Sequence, residues 1–195
     1  MLTIEQRLEH LEDEAAIRDL AARFADAATR ADYETVRSLF KPDAVFTIGE
    51  PFATTSTRGV DEIVALIHKL RDGKDFFVEF VHSGLVQLDG NTASARWLVR
   101  EVGMGPGKNG SGKSYYNNFG FFIDELEKVD GKWLFKTRTY PYLYLDTDPF
   151  TGKAVPWTPT SASPHRNTPK ARSAPAPPRG FFGADHIPEV GDHDL

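Results

Sequence analysis

The stretch from Tyr115 to Tyr144 constrains this chain most. Two aromatic-rich runs, Asn118–Leu126 and Lys132–Tyr144, flank the segment Lys128-Val129-Asp130-Gly131. Asp-Gly between β-prone runs predicts a tight hairpin, because such turns need positive φ and glycine adopts it without strain. Both runs are long for single strands, so the hairpin is expected at the centre of a curved sheet. Any pocket would be built on that wall.

Upstream, the periodicity changes. Ile17, Leu20, Ala21, Phe24, Ala27 and Ala28 recur at steps of three and four, predicting a helix over Thr3–Ala31 with one apolar stripe. Asp32 reads as the N-cap of a second helix, Tyr33–Phe40, stopped by Lys41-Pro42-Asp43. A short strand, Ala44–Ile48, a polar loop, Gly49–Gly59, and a third helix, Val60–Leu70, follow. Phe76–Leu88 and Thr92–Val102 read as strands joined at Asp89-Gly90-Asn91. Helices first and antiparallel strands afterwards is an α+β order, with helices on one face of a curved sheet.

At 195 residues the chain is long enough to bury a core without staples. Nine of its thirteen prolines lie at or beyond Pro149. Residues 1–148 are therefore expected to fold as the domain, and 149–195 to form a proline-rich arm. That arm is too poor in aliphatics to fold alone, and Trp157, Phe181 and Phe182 would anchor it to its own domain or to a neighbouring subunit. A net charge of −5 and a pI near 5.7 argue against nucleic acid or an anionic membrane as partner. With no cysteine there is neither a disulfide nor a thiolate metal site. The charged N-terminus lacks a signal-peptide apolar region and no run is long enough to span a bilayer, so a cytoplasmic protein is expected.

Several motifs compete for a functional reading. Gly107 to Ser114 (GKNGSGKS) matches the phosphate-loop pattern GxxxxGK[ST]. Phosphate binding there requires a following helix, whose N-terminus supplies N–H groups and a positive dipole end. Ser114–Ile123 is poor helix material, so the match reads as a hairpin loop. Asp185, His186, Glu189, Asp192 and His193 carry ligand chemistry but no fixed geometry, and no metal is expected. His82 lies in an apolar strand, either as a core histidine or as an acid–base group. Arg138, inside the last strand, needs an anionic or carbonyl partner, either a structural carboxylate or a ligand. Glu101 is a candidate for that partner.

The segments IRDLAARFADAATRADYETVRSLFKPDAVF (Ile17–Phe46) and FFIDELEKVDGKWLFKTRTY (Phe121–Tyr140), with a strand carrying a His between them, resemble the SnoaL-like branch of the nuclear transport factor 2-like superfamily. The resemblance covers roughly Leu8 to Asp146. It implies a cone: a curved antiparallel sheet wrapped over N-terminal helices, with an internal apolar pocket. Dehydratases, a dehydrochlorinase, polyketide cyclases, diarylpropane lyases and non-enzymatic binding domains share that fold.

By this resemblance His82 matches a general base, Arg138 a last-strand arginine and Glu101 an acid. Thr29 stands where the family's dyad acid falls, and Phe24 where a helix tyrosine falls. The implied function is a cofactor-independent lyase, a dehydratase or related β-eliminating or deformylating enzyme, acting on a bulky aromatic or polycyclic hydroxy compound. His82, Arg138 and Glu101 would be catalytic, and Phe24, Thr29, Phe46, Trp97, Tyr116, Phe122 and Tyr140 would line the pocket. The alternatives are an isomerase or cyclase, or a ligand-binding or assembly module without chemistry. A homo-oligomer is expected, a trimer before a dimer.

Overall fold

The computed structural model describes residues 2–49, 54–107, 112–147 and 153–154. Helix α1, Ile4–Arg30, opens with a capping box in which Thr3 accepts from the Gln6 N–H and Gln6 returns a bond to the Thr3 N–H. It ends at Ala31, whose left-handed φ of 57° lets the chain turn into α2, Tyr33–Ser38. Asp32 caps α2 by accepting from the Thr35 N–H at 3.0 Å. Helix α3 is Val60–Arg71.

The strands are β1 (Phe40–Ile48), β2 (Thr55–Arg58), β3 (Phe76–Asp89), β4 (Thr92–Pro106), β5 (Lys113–Val129), β6 (Lys132–Tyr140), β7 (Tyr142–Asp146) and β8 (Lys153–Ala154). They form one open sheet in the order β2-β1-β6-β5-β4-β3, with β7 paired to β5 and β8 to β7. The α+β cone expected from the sequence is the observed fold. Its sheet is mixed rather than wholly antiparallel, because β1 runs parallel to β6.

Several strands differ from their expected bounds. β1 begins at Phe40 rather than Ala44, and its register slips between Phe40 and Val45, where Pro42 cannot donate to the ladder. β4 runs on to Pro106 and β5 starts at Lys113, which shortens the expected loop. The last run is interrupted at Pro141, which separates β6 from β7. Beyond Asp146, only Lys153–Ala154 of the proline-rich segment is described, so the anchors Trp157, Phe181 and Phe182 and the histidines of the tail lie outside the described residues.

The β5–β6 turn has positive φ at both Asp130 (50°) and Gly131 (76°), as a two-residue hairpin demands. The core fills the space between α1 and the concave face of the sheet. Phe24 is its hub, meeting Phe40, Phe46, Phe122 and Phe135 edge-on at centroid distances of 5.6–6.4 Å. Inward alternation on β4 buries Ala93, Ala95, Trp97 and Val99. Among the described residues, no helix is long and apolar enough to cross a membrane.

A strand, not a helix, begins at Lys113, and the Lys113 ammonium lies 3.5 Å from Asp75, both groups half exposed. The phosphate-loop match therefore lacks the helix N-terminus its chemistry requires. ATP or GTP should leave the melting temperature of the protein unchanged in a thermal-shift assay. Lys113→Ala should change stability by no more than about 0.5 kcal/mol, as expected for an exposed ion pair.

Candidate active site

A cavity of about 210 Å³ opens between α1, α3 and the sheet, walled on its apolar side by Phe24, Phe46, Ile67, Phe122 and Leu145. Strand register decides what faces it. Glu79 on β3 is the direct partner of Glu101 on β4, Glu101 of Asn118 on β5, and Asn118 of Leu145 on β7. All four line the cavity, so one row across four strands carries two carboxyls and an amide. The next row along pairs Phe77 with Gly103 and Gly103 with Tyr116.

Two glycines make room for the tyrosines of the site. A Cβ on Gly103 would lie 2.3 Å from the Tyr116 ring, and a Cβ on Gly120 would lie 2.5 Å from the Tyr140 ring and from the Pro141 carbonyl oxygen. Only a residue without a side chain permits those rings to lie against the sheet. Tyr116 and Tyr140 therefore reach the cavity over bare backbone.

Glu79 is 7% exposed and its Oε1 has no hydrogen-bond partner. Glu101 accepts from the Asn118 amide at 3.4 Å and keeps its open surface along the cavity. The buried Asn118 Oδ1 also has no partner, and the Tyr140 hydroxyl faces Glu101 without a hydrogen bond of normal geometry. Burial pushes the Glu79 carboxyl well above the usual range, and the neighbouring Glu101 charge pushes it further. Burial likewise raises Glu101, to about 7, against the opposing pull of the Asn118 bond. Both carboxyls are thus held toward their protonated forms, Glu79 the more strongly. Burial also raises the phenols of Tyr140 and Tyr142, so both stay protonated donors.

The three residues expected to be catalytic are not brought together. Glu101 is in the cavity. His82 is not: it is exposed, and its ring stacks on Phe80 at 6.2 Å. Strand alternation turns Glu79 and Val81 inward and Phe80 and His82 outward, and a bulge between Val81 and Gly84 follows directly.

Arg138 is fully buried but bonded elsewhere. Its Nε and Nη2 donate to the two oxygens of Asp124 at 2.7 and 2.8 Å, and the guanidinium lies 3.9–4.2 Å from the centroids of Phe24, Phe122 and Phe135. The partner of Arg138 is thus a structural carboxylate, Asp124, and not Glu101.

Of the expected wall residues, Phe24, Phe46, Tyr116, Phe122 and Tyr140 line the cavity. Trp97 does not; it packs in the core and donates its indole N–H to Asp124 at 2.9 Å. Thr29 does not line it either. Its hydroxyl accepts the Glu79 N–H at 3.0 Å, which ties α1 to the edge strand at the residue that bears one carboxyl.

Glu79 was not singled out from the sequence. Phe76, Val78 and Phe80 on one face of β3 and Phe77 on the other are all apolar, so alternation points to the face opposite Glu79 as the inward one. An acidic residue within such a run was the one available signal.

Two stability outcomes follow. Arg138→Met should cost about 3–5 kcal/mol in urea unfolding, because it strands the Asp124 charge, and adding Asp124→Leu should recover part of that loss. The raised carboxyls carry the opposite sign to an ion-paired acid. Their contribution to stability is complete below the ordinary glutamate range near 4.5 and is lost as pH rises through the folded value, about 7 for Glu101. The melting temperature should fall between pH 5 and 8, and Glu101→Gln should flatten that slope.

A sequence profile of the SnoaL-like domain matches residues 9–139. Among solved structures, LinA is similar at 20% identity, covering 77% of this chain and 99% of LinA, with a TM-score of 0.63. A protein from Novosphingobium aromaticivorans, provisionally assigned as an aromatic ring hydroxylase, is similar at 27% identity over 71% of this chain and 94% of its own, with a TM-score of 0.60. Another from that organism, provisionally assigned as a scytalone dehydratase, shares 16% identity over 71% and 89%, with a TM-score of 0.62. No curated protein matches the sequence. On the profile match across most of the folded domain, the chain belongs to the SnoaL-like domain family of the nuclear transport factor 2-like superfamily.

Proposed function

We propose that this protein is a cofactor-independent lyase that eliminates water, or a comparable β-leaving group, from a hydroxylated ring compound. One observation carries the reading: Glu79 and Glu101 face each other as register partners on the wall of an apolar cavity. Two carboxyls whose surroundings push their proton affinities apart make an acid and a base from one residue type. In this arrangement Glu101, as carboxylate, removes the proton from the carbon next to the one bearing the hydroxyl. Glu79, as carboxylic acid, protonates the leaving hydroxyl, a carbon–carbon double bond forms, and water departs. A proton passing back from Glu101 to Glu79 restores the starting pair.

The orphaned polar atoms support a ligand of this class. The Asn118 Oδ1 accepts and the Tyr140 hydroxyl can donate, so an oxygen-bearing substrate would satisfy both, whereas a hydrocarbon would leave them buried and unpaired. The size of the cavity narrows the expectation of a bulky or polycyclic substrate. A space of about 210 Å³ suits one ring with a few substituents, since an apolar cavity of roughly 150 Å³ accommodates benzene. Relatives provisionally assigned as an aromatic ring hydroxylase and a scytalone dehydratase are in keeping with ring chemistry.

A second reading, a binding domain without chemistry, is favoured by the exposed position of His82 and by Thr29 bonding backbone instead of offering an acid. A screen of cyclic β-hydroxy compounds for ultraviolet-absorbing alkene products separates the two. Turnover should rise with pH as Glu101 ionises around 7 and fall again once Glu79 loses its proton. Glu101→Gln should lower kcat by about 10²–10⁴-fold with little change in binding, and His82→Gln should be near wild type. Compounds that bind in the cavity but are never converted would establish the binding-domain reading. A His82→Gln variant that binds and does not turn over would remove the carboxyl pair from its role.

A further inference from the structure

The cavity also carries positive charge that the elimination chemistry does not use. Arg71, in the last turn of α3, and Lys74, in the loop after it, both line the cavity beside the half-exposed Leu70, which marks its mouth. The Arg71 Nε is buried and without a hydrogen-bond partner, while its Nη1 donates to the Lys74 carbonyl at 3.3 Å. The guanidinium lies 5.3 Å from the Phe77 ring centroid, and the Lys74 ammonium 4.5 Å from that of Tyr116. Among the described residues neither cation has a carboxylate within ion-pair distance, although Lys41, Lys128 and Arg138 each have one. Lys74 is also partly desolvated, which disfavours its charge, with the more distant Glu101 opposing that effect. A cation at a helix C-terminus offsets the helix dipole, but that role is served by an arginine in water and does not require a buried, unpaired Nε.

We propose that Arg71 and Lys74 form an anion anchor and that the ligand is a ring carboxylic acid. The placement of its hydroxyl at the carboxyl pair rests on the lyase reading; the anchor itself does not. Phe77 and Tyr116, under the two cations, stand one row along the sheet from Glu79, Glu101 and Asn118. Two residues of strand advance about 6.7 Å, which is the separation of a carboxylate and a hydroxyl set on opposite sides of a six-membered ring. Arg71 supplies the planar fork suited to a carboxylate, and Lys74 a movable point charge. The phenyl faces beneath them keep both cations at the rim when no ligand is bound.

Calorimetric titration with benzoate and its neutral isostere benzamide tests the anchor without any need for turnover. Benzoate should bind the wild-type protein about 10- to 100-fold more tightly than benzamide, the range expected of hydrogen bonds to a charged group. Arg71→Gln and Lys74→Gln should each reduce that preference, and the double variant should abolish it while leaving benzamide affinity within about twofold. Glu101→Gln should keep the preference, so a failure of the lyase reading leaves the anchor standing. Equal affinity for acid and amide, no benzoate binding at millimolar concentration, or a preference that survives in the double variant would each overturn it.

Discussion

Asp124 and Arg138 are the interaction on which the rest of the structure depends. They are register partners on β5 and β6, buried to 1% and 0% exposure and joined by two parallel hydrogen bonds. Burying two charges costs several kcal/mol, and the cost is offset only when the geometry is near ideal and neighbouring groups complete the solvation. Here the neighbours do so for all but Arg138 Nη1, which has no acceptor. Three phenyl rings surround the guanidinium, and the Trp97 indole adds a donor to the carboxylate. Because one of those rings is Phe24 of α1 and the indole is on β4, a single ion pair fixes the helix and three strands in relation to one another.

The site takes its character from that fixed frame. With β4 and β5 locked, Glu101 and Asn118 have no freedom to leave the concave face, and Glu79 follows through its pairing with Glu101. The charged pair in the core holds three hydrogen bonds and leaves one guanidinium nitrogen, Arg138 Nη1, without an acceptor, whereas several polar groups along the cavity are left unpartnered. Buried polar groups with good partners hold a fold together. Unpaired ones are a cost that a ligand can relieve.

Much of the fold was legible from periodicity and turn chemistry. The stripe Ile17–Ala28, the Asp32 cap and the Asp130-Gly131 turn each carry one physical requirement that few residue types satisfy, and the structure bears out each. The parallel pairing of β1 with β6 left no trace, because a strand's local pattern does not encode its neighbour's direction. The site was half legible. Glu101, Phe24, Phe46, Tyr116, Phe122 and Tyr140 were singled out and line the cavity. His82 lies on the outward face of β3 and Glu79, on the inward face, was passed over for one reason: Phe76 and Phe80 are 45% and 43% exposed, so outward apolar residues concealed which face of β3 is buried. Arg138 was identified as a buried cation in need of a partner, but Asp124 could be matched to it only through the register of the hairpin.

The row Glu79, Glu101, Asn118 is set by backbone pairing and not by a loop, and β3 lies at the edge of the sheet, held on one side by β4 and at Glu79 by Thr29. A slip of one residue would turn every inward side chain of β3 to solvent, since strand side chains alternate. The chemistry of such a cavity can therefore diversify by exchanging residues within the row, but scarcely by lengthening or shortening the strands that carry it. Insertions are accommodated beyond the row, where the bulge between Val81 and Gly84 already absorbs an extra residue and leaves the carboxyls in register.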